Sequence, residues 1–519
     1  MRSIWLFIGL LLLNIVTGCS SAKAQPDLAV DTGSPSSATR SSSVDKPGEE
    51  PAGRAKVTDA AASDLTSTRP GEDWPQFLGP RGTGVSGETG LLEVWPENGP
   101  PVLWERKLGE GYAPPSVMGE RLVIMHRLKN REIVECLHAQ TGETLWQYDY
   151  DTDFKDPYGF NGGTRCSPAL TATRCYTLGP QGKLLCLNLV DGKKIWELDL
   201  DTKWRVPEHF FGFGCTPILY DDKLYVLVGG QPNSAVVAFD AETGKVLWEA
   251  GGKATWDGVP APESRNRPYE WTGDETLVSY STPIVADLHG KPHLLCLLRQ
   301  GLASFDPNTG ELNFKYWFRA KVHESVNAAR PVVVGDEILI TAAYEVGAAL
   351  LKVKPDGKDY DVVWRKPRGM SCHWSTPIAL DGYIYGFSGR HEQESQLQCV
   401  EWSTAELMWE SNGLVRPLEE LEQDPNTGKI KDKATGKEIP WPMYGRGSLL
   451  LADGKFIIQA ERGPLALVKP DKEKLEEVTR VGYKQLGYPC WAAPVLSRGR
   501  LFLRSETHVI ALDLLKPEA

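Results

Sequence analysis

A twelve-residue phrase, VAFDAETGKVLW, occupies residues 237–248, and near-copies of it recur at intervals that leave few folds open. Each copy has an apolar run, a turn holding glycine, and a second run closing on an aromatic. That is the pattern of a β-hairpin, with glycine where the backbone needs positive φ. Copies stand at CLHAQTGETLW (136–146), CLNLVDGKKIW (186–196) and SFDPNTGELNF (304–314). A looser one, CVEWSTAELMW (399–409), has Ala405 in place of glycine, and another closes on Trp364 after Pro355-Asp356-Gly357. With Trp104 included, the closing aromatics fall at 104, 146, 196, 248, 314, 364 and 409, so the spacings are 42, 50, 52, 66, 50 and 45 residues. One hairpin cannot bury its own apolar faces. A repeat of this length is that of a four-stranded propeller blade.

Ahead of each hairpin lies a second phrase, a small residue before proline and then an apolar strand: CSPAL at Cys166, CTPIL at Cys215, STPIV at Ser281, ARPVV at Ala329, STPIA at Ser375 and AAPVL at Ala492. Small side chains two before the proline fit a crowded position where innermost strands converge on an axis. The C-terminal repeat ends at Val509 to Leu512 without a closing tryptophan strand, and Val102 to Lys107 is such a strand without a repeat of its own. Joined, they make one composite blade. The expected fold is therefore an all-β, eight-bladed propeller whose last blade is completed by the N-terminal strand. The seventh repeat, about 445–485, is the poorest copy. A stacked solenoid shares the period, but the strand missing at one terminus is present at the other, which favours closure.

Of the 519 residues, eight such repeats use about 420. The formal charge of −11 and pI near 5.5 argue against a nucleic-acid partner, which requires a basic face. At the N-terminus, Met1-Arg2 precedes an apolar run from Ile4 to Val16, too short to span a bilayer. Val16-Thr17-Gly18-Cys19 resembles the bacterial lipobox, so residues 1–18 are read as a lipoprotein signal peptide and Cys19 as the lipidated residue. Each buried methylene of such an anchor contributes about 0.8 kcal/mol. An ordinary secretory signal with an incidental cysteine is the alternative. Ser20 after the cysteine is the residue type associated with outer-membrane sorting. Residues 19–72 are rich in Ser, Ala, Pro, Thr and Gly, and are expected to form a disordered tether. The propeller is expected over 73–519, entered by an extended strap at Trp74 to Pro80.

Cysteines at 136, 186 and 399 share one repeat position with Ala238 and Ser304, as small hydrophobes would. Without a C-x-x-C motif, neither zinc nor covalent haem is supported. The acids Asp149, Asp151, Asp153 and Asp156 fail the EF-hand pattern, so no metal site is expected. The insert Asp424 to Gly428 copies the repeat turn and is expected to be a protruding hairpin.

Long insertions at 149–164, 199–213, 249–280 and 410–446 all follow a closing tryptophan, so they share one face and rim one channel mouth. Beside them stand the candidate ligand- or partner-binding residues Arg165, His209, Asn327, Arg330, His373, Trp374, Arg446 and Trp491.

The phrase Ala238-x-Asp240-x-x-x-Gly244-x-x-x-Trp248 resembles the tryptophan-docking motif of the pyrroloquinoline-quinone (PQQ) propeller superfamily, over about residues 74–515. The resemblance implies that Trp104, Trp146, Trp196, Trp248, Trp364 and Trp409 dock blade on blade. Within that superfamily, lipobox, tether, blade count and acidic charge resemble the outer-membrane assembly factor BamB family. That likeness implies a non-catalytic, lipid-anchored monomer of the cell envelope, facing the periplasm from the outer membrane, that scaffolds other envelope proteins without a cofactor. The alternatives are a PQQ- and calcium-dependent alcohol or sugar dehydrogenase, whose frequent vicinal cysteine pair is absent here, and a sensor of small ligands.

Overall fold

The structure, a computed structural model, describes residues 56–57, 66–204, 206, 210–230, 232–252, 279–320, 325–414, 416–425 and 427–516. The signal segment, Cys19 and most of the tether lie outside them. Two compact units divide the chain. In one, the described residues form a three-stranded sheet of Leu421–Gln423, Ile430–Asp432 and Glu438–Ile439. Its turns repeat the Asp-x-x-Thr-Gly signature: Asp432 Oδ1 accepts from the backbone and hydroxyl of Thr435, and Gly428 N donates to Asp424 O. The hairpin expected at 424–428 is thus one turn of a small sheet.

The described residues of the other unit are all β apart from single helical turns, and form seven four-stranded sheets and one five-stranded sheet, all antiparallel. Sheets 1 to 7 run over 116–151, 169–199, 218–250, 284–317, 332–366, 378–411 and 448–481. Sheet 8 is composite: Val102–Lys107 pairs with His508–Asp513, Trp104 opposite Ala511, beside Arg500–Arg504 and Val495–Ser497. The first and last strands of the repeat region therefore meet as expected.

The repeat phrase has a direct physical cause. Trp104, Trp146, Trp196 and Trp248 each lie against the turn glycine of the following sheet, where a Cβ on Gly142, Gly192, Gly244 or Gly310 would stand 2.5 to 2.9 Å from the ring. These glycines have φ of 70–74°, a region disfavoured for other residues, so the position is doubly restricted. Each indole N–H then donates to a carbonyl of that same sheet: Trp104 to Ala139, Trp146 to Leu189, Trp196 to Ala241 and Trp248 to Pro307, at 2.9 to 3.1 Å. Trp364 and Trp409 donate likewise to Trp402 O and Asp471 O. Sheet 4 has Phe314 instead, packed on Tyr360 of sheet 5, whose hydroxyl donates back to Lys315 O. Sheet 7 lacks a closing tryptophan. There Trp95, from the segment ahead of Val102–Lys107, is buried in the core shared with sheet 8 and bonds through its backbone to Thr479.

The small residues two before the proline do not face an axis. They are buried between neighbouring sheets, where Cys166 Sγ donates to Cys215 O, Cys215 Sγ to Ser281 O, and Ser281 Oγ to Ala329 O. Strand alternation explains this: if that position packs sideways, the residues one and three before the proline face the interior.

Residues 66–92 cross the ends of several strands; the segment expected to be extended from Trp74 to Pro80 instead bends into turns over 77–82, closed by Gly79 N to Gln76 O and Gly82 N to Gly79 O. Trp74 exchanges backbone hydrogen bonds with Val117, Pro75 O accepts from Leu170 N, Gly84 O accepts from Leu451 N, and Leu92 N donates to Leu514 O. Lys56–Val57 adds a fifth strand to sheet 1, opposite Gln147 and Trp146. Ordered contacts thus begin inside the segment read from sequence as tether.

Candidate functional site

A cavity of about 240 Å³ lies among the inner strands. Its upper layer takes one residue per sheet at a single repeat position, three before the proline: Tyr112, Arg165, Gly214, Tyr280, Ala328, Trp374 and Trp491, with Arg446 at the matching place in sheet 7. The lower layer, one before the proline, supplies Pro114, Thr216, Thr282, Thr376, Ser448 and Ala493. Phe77 and Leu78 of the N-terminal strap close the floor. Leu78 holds a left-handed backbone (φ 61°), a strained conformation for a branched side chain.

Two arginines organise the mouth in the same way. Arg446 stacks on Trp374 and Trp491, its guanidinium carbon 4.6 and 5.2 Å from the ring centroids, and pairs with Glu461. Glu461 also accepts from Trp491 Nε1 at 2.8 Å and from the backbone N of Arg446 at 2.9 Å. Arg165 lies over Tyr112 and Phe211 at 5.4 and 5.8 Å and pairs with Asp156 at 2.6 Å. The Asp156 and Glu461 side chains are both 0% exposed, so each cation is neutralised from inside the wall while its flat face orients aromatic rings. Further rings continue the collar: Phe160 against Trp491 and Phe211, and Tyr112 against Trp491.

His373 packs on Trp374 at 5.0 Å between centroids, with Nε2 3.0 Å from Tyr344 Oη. Burial, reinforced by Arg446 and Arg390, pushes its imidazole down to about 3, so it is neutral at physiological pH. Behind the mouth, Glu132 is buried and accepts from Thr164 N; desolvation raises its carboxyl to about 8 and leaves it protonated.

Of the residues singled out from sequence, Arg165, His373, Trp374, Arg446 and Trp491 line this one cavity. Asn327 and Arg330 do not. Asn327 is buried and donates to Leu298 O. Arg330 is buried beneath the floor, donating to Phe77 O, Gly82 O and Pro283 O, and desolvation lowers it to about 10. It holds the strap in place. His209 lies outside the described residues, as do residues 253–278 of the insertion at 249–280. The acids that fail the EF-hand pattern are engaged by arginines: Asp149 and Asp151 by Arg131, and Asp156 by Arg165. Asp199 caps the helical turn Leu200–Trp204 through Thr202 N.

Tyr112, Tyr280, Phe77, Leu78 and Glu461 were missed. The first two occupy the same repeat position as Trp374, and alignment on the proline is the signal that finds them. Glu461 follows the apolar strand of the most degenerate repeat, and nothing local marks it.

Four-stranded sheets joined by tryptophan-on-glycine docking, with inner strands lining a common cavity, define a β-propeller of the PQQ-like repeat class. The family model described as outer membrane protein assembly factor BamB matches residues 129–411, more than half of the chain, and the chain belongs to that family. Among solved structures it is similar to BamB from Moraxella catarrhalis, with 12% identity, TM-score 0.50, and 80% of this chain and 99% of that one covered. It is also similar to quinohemoprotein alcohol dehydrogenase from Comamonas testosteroni, with 13% identity, TM-score 0.55, and 89% and 82% covered. At these identities the likeness is one of fold. Among curated proteins none matches significantly.

Proposed function

We propose that this chain is a non-catalytic envelope scaffold: eight blades in a closed ring, anchored through Cys19, that binds partner proteins at the aromatic mouth. The observation carrying this reading is the collar, in which side chains of successive sheets converge and buried carboxylates pin the rings. Rigid, well-packed aromatic pockets are where protein interfaces concentrate their energy. Membership of a family described as outer-membrane assembly factors supports partners among the envelope assembly proteins and a position at the outer membrane facing the periplasm.

A quinoprotein dehydrogenase fits the residues less well. Arg165 and Arg446, the cations lining the cavity, are committed to Asp156 and Glu461 rather than free for a polyanionic quinone. Among the described residues, no three His, Cys, Asp or Glu side chains converge as calcium needs. The readings separate experimentally. Solubilised envelope is cross-linked to wild-type protein and to the His373→Ala/Trp374→Ala double variant, and purified protein is assayed with PQQ, calcium and an artificial electron acceptor. The scaffold reading expects a partner lost in the double variant and no quinone-dependent oxidation of alcohols or sugars. Turnover with quinone, or a partner retained in full by the variant, overturns it.

A further inference from the structure

The channel shows, at its strap end, what its mouth is built to take. There a tight turn of the chain, closed by Gly79 N donating to Gln76 O and Gly82 N donating to Gly79 O, carries the apolar pair Phe77-Leu78 into the interior, while the buried Arg330 captures carbonyls of Phe77 and Gly82. At the mouth the walls are again apolar and aromatic, and the space above the floor remains open at about 240 Å³. That is the volume of about eight waters, enough for one bulky side chain. The wall itself calls for no charge, because both lining cations are neutralised by carboxylates with no exposure. A charged group entering here loses its hydration without gaining a free counter-charge, whereas an apolar one releases water from ring faces at little cost.

We propose that the mouth receives a bulky uncharged side chain, aromatic or branched aliphatic, presented by a tight turn of the partner protein, in the manner in which the floor holds Phe77-Leu78. This rests on the scaffold reading and names the partner's chemistry. The rings are fixed before binding, so the anchor side chain dominates affinity and its neighbours contribute little.

The test uses the full chain and an acetylated, amidated hexapeptide, Pro-Gln-Phe-Leu-Gly-Pro, followed by calorimetry and tryptophan fluorescence. Binding is expected, weakened about 10-fold or more when its Phe and Leu are both Ala, and weakened further when they are Asp. Ala328→Phe, which fills the cavity from the upper layer without touching either ion pair, is expected to reduce affinity by a similar factor while retaining the melting temperature. Should that variant fail to fold, Ala493→Leu fills the lower layer. Equal binding of the Phe-Leu and Asp peptides, or full affinity in the filled variant, overturns the inference. So does N-acetyl-phenylalaninamide binding as tightly as the peptide, since the turn then adds nothing. The scaffold reading fails separately: a cross-linked partner kept by Ala328→Phe but lost by His373→Ala/Trp374→Ala sinks only the anchor, and one kept by both sinks the scaffold as well.

Discussion

The two ends of the channel are built on opposite plans. At the floor, a strap is tied down by backbone hydrogen bonds to several inner strands and by a buried arginine whose partners are carbonyls. At the mouth, backbone bonds such as Tyr112 N to Thr164 O and Tyr280 N to Asn327 O join neighbouring sheets, but the rings and cations that face the cavity are held by one another, through stacking and buried ion pairs. Backbone ties survive substitution of the residues that make them, whereas side-chain ties change identity with every substitution. The floor is a structural seal, and the mouth is a surface whose specificity is set residue by residue around the sheets.

The largest expected effect separates the ends by stability. Arg330→Ala removes a buried charged donor and strands carbonyls of both strap and sheet, a loss of about 3–5 kcal/mol. Trp374→Ala, at the half-buried mouth, costs about 1–2 kcal/mol because its space opens to solvent. Chemical denaturation of both variants checks the difference. Equal losses would show the mouth to be as structural as the floor.

The next effect concerns Glu132, which stands protonated behind the mouth. Its folded pKa, about 8, is raised from the usual 4.5, so between those values the folded state binds the extra proton. Its stabilising contribution is complete below pH 4.5 and declines as pH rises, by about 1.4 kcal/mol per unit until the group ionises in the folded state near pH 8. Glu132→Gln keeps the neutral shape and removes this slope. The variant should match wild type at pH 4 and exceed it increasingly toward pH 8. Parallel pH profiles would show that the carboxyl is already ionised.

A smaller change tests the ion-pair pin itself. Glu461→Gln leaves Arg446 without its carboxylate and weakens the bond to Trp491. About 2 kcal/mol of stability should be lost, less than at Arg330 because Arg446 can turn toward water. Peptide affinity should fall by about 10-fold as the rings lose their orientation. Unchanged affinity would mean that stacking alone fixes the collar.

The plans also differ in how far sequence reveals them. The hairpin phrase was legible because tryptophan and turn glycine answer to one contact, so both recur wherever sheets dock. Sheet 8 was legible from its missing strand. The mouth was half legible: Arg165, Trp374 and Trp491 stood beside a recognisable proline, but that repeat position accepts Tyr, Arg, Gly, Ala or Trp, since each is fitted to its own neighbours around the collar, as Gly214 is to the ring of Tyr280, 2.5 Å from where a Cβ would stand. Asn327 and Arg330 carry the same polar chemistry as mouth residues and are spent on internal carbonyls: Asn327 lies out of the inward-facing alternation, whereas Arg330 shares it and is claimed by the strap that crosses beneath the cavity. Trp95 and Glu461 act across long sequence separations, where no repeat announces them.

The smallest expected effect is no effect at all, and it discriminates between a fixed mouth and a pH-gated one. His373 faces Arg446, Arg390 and His391, and with burial they hold its imidazole down to about 3. The unfolded chain takes up a proton near pH 6.5 while the folded mouth does not. The contribution of His373 to stability is therefore present above pH 6.5 and is lost progressively as pH falls toward 3. Over that range the folded collar keeps one charge state, so peptide affinity measured by calorimetry should stay constant between pH 7 and pH 5 even as the melting temperature declines. Because His391 is exposed, the same titration is run on His391→Asn. If affinity still drops with pH in that variant, His373 is taking up a proton in the folded protein, and the mouth is a switch rather than a fixed receptor.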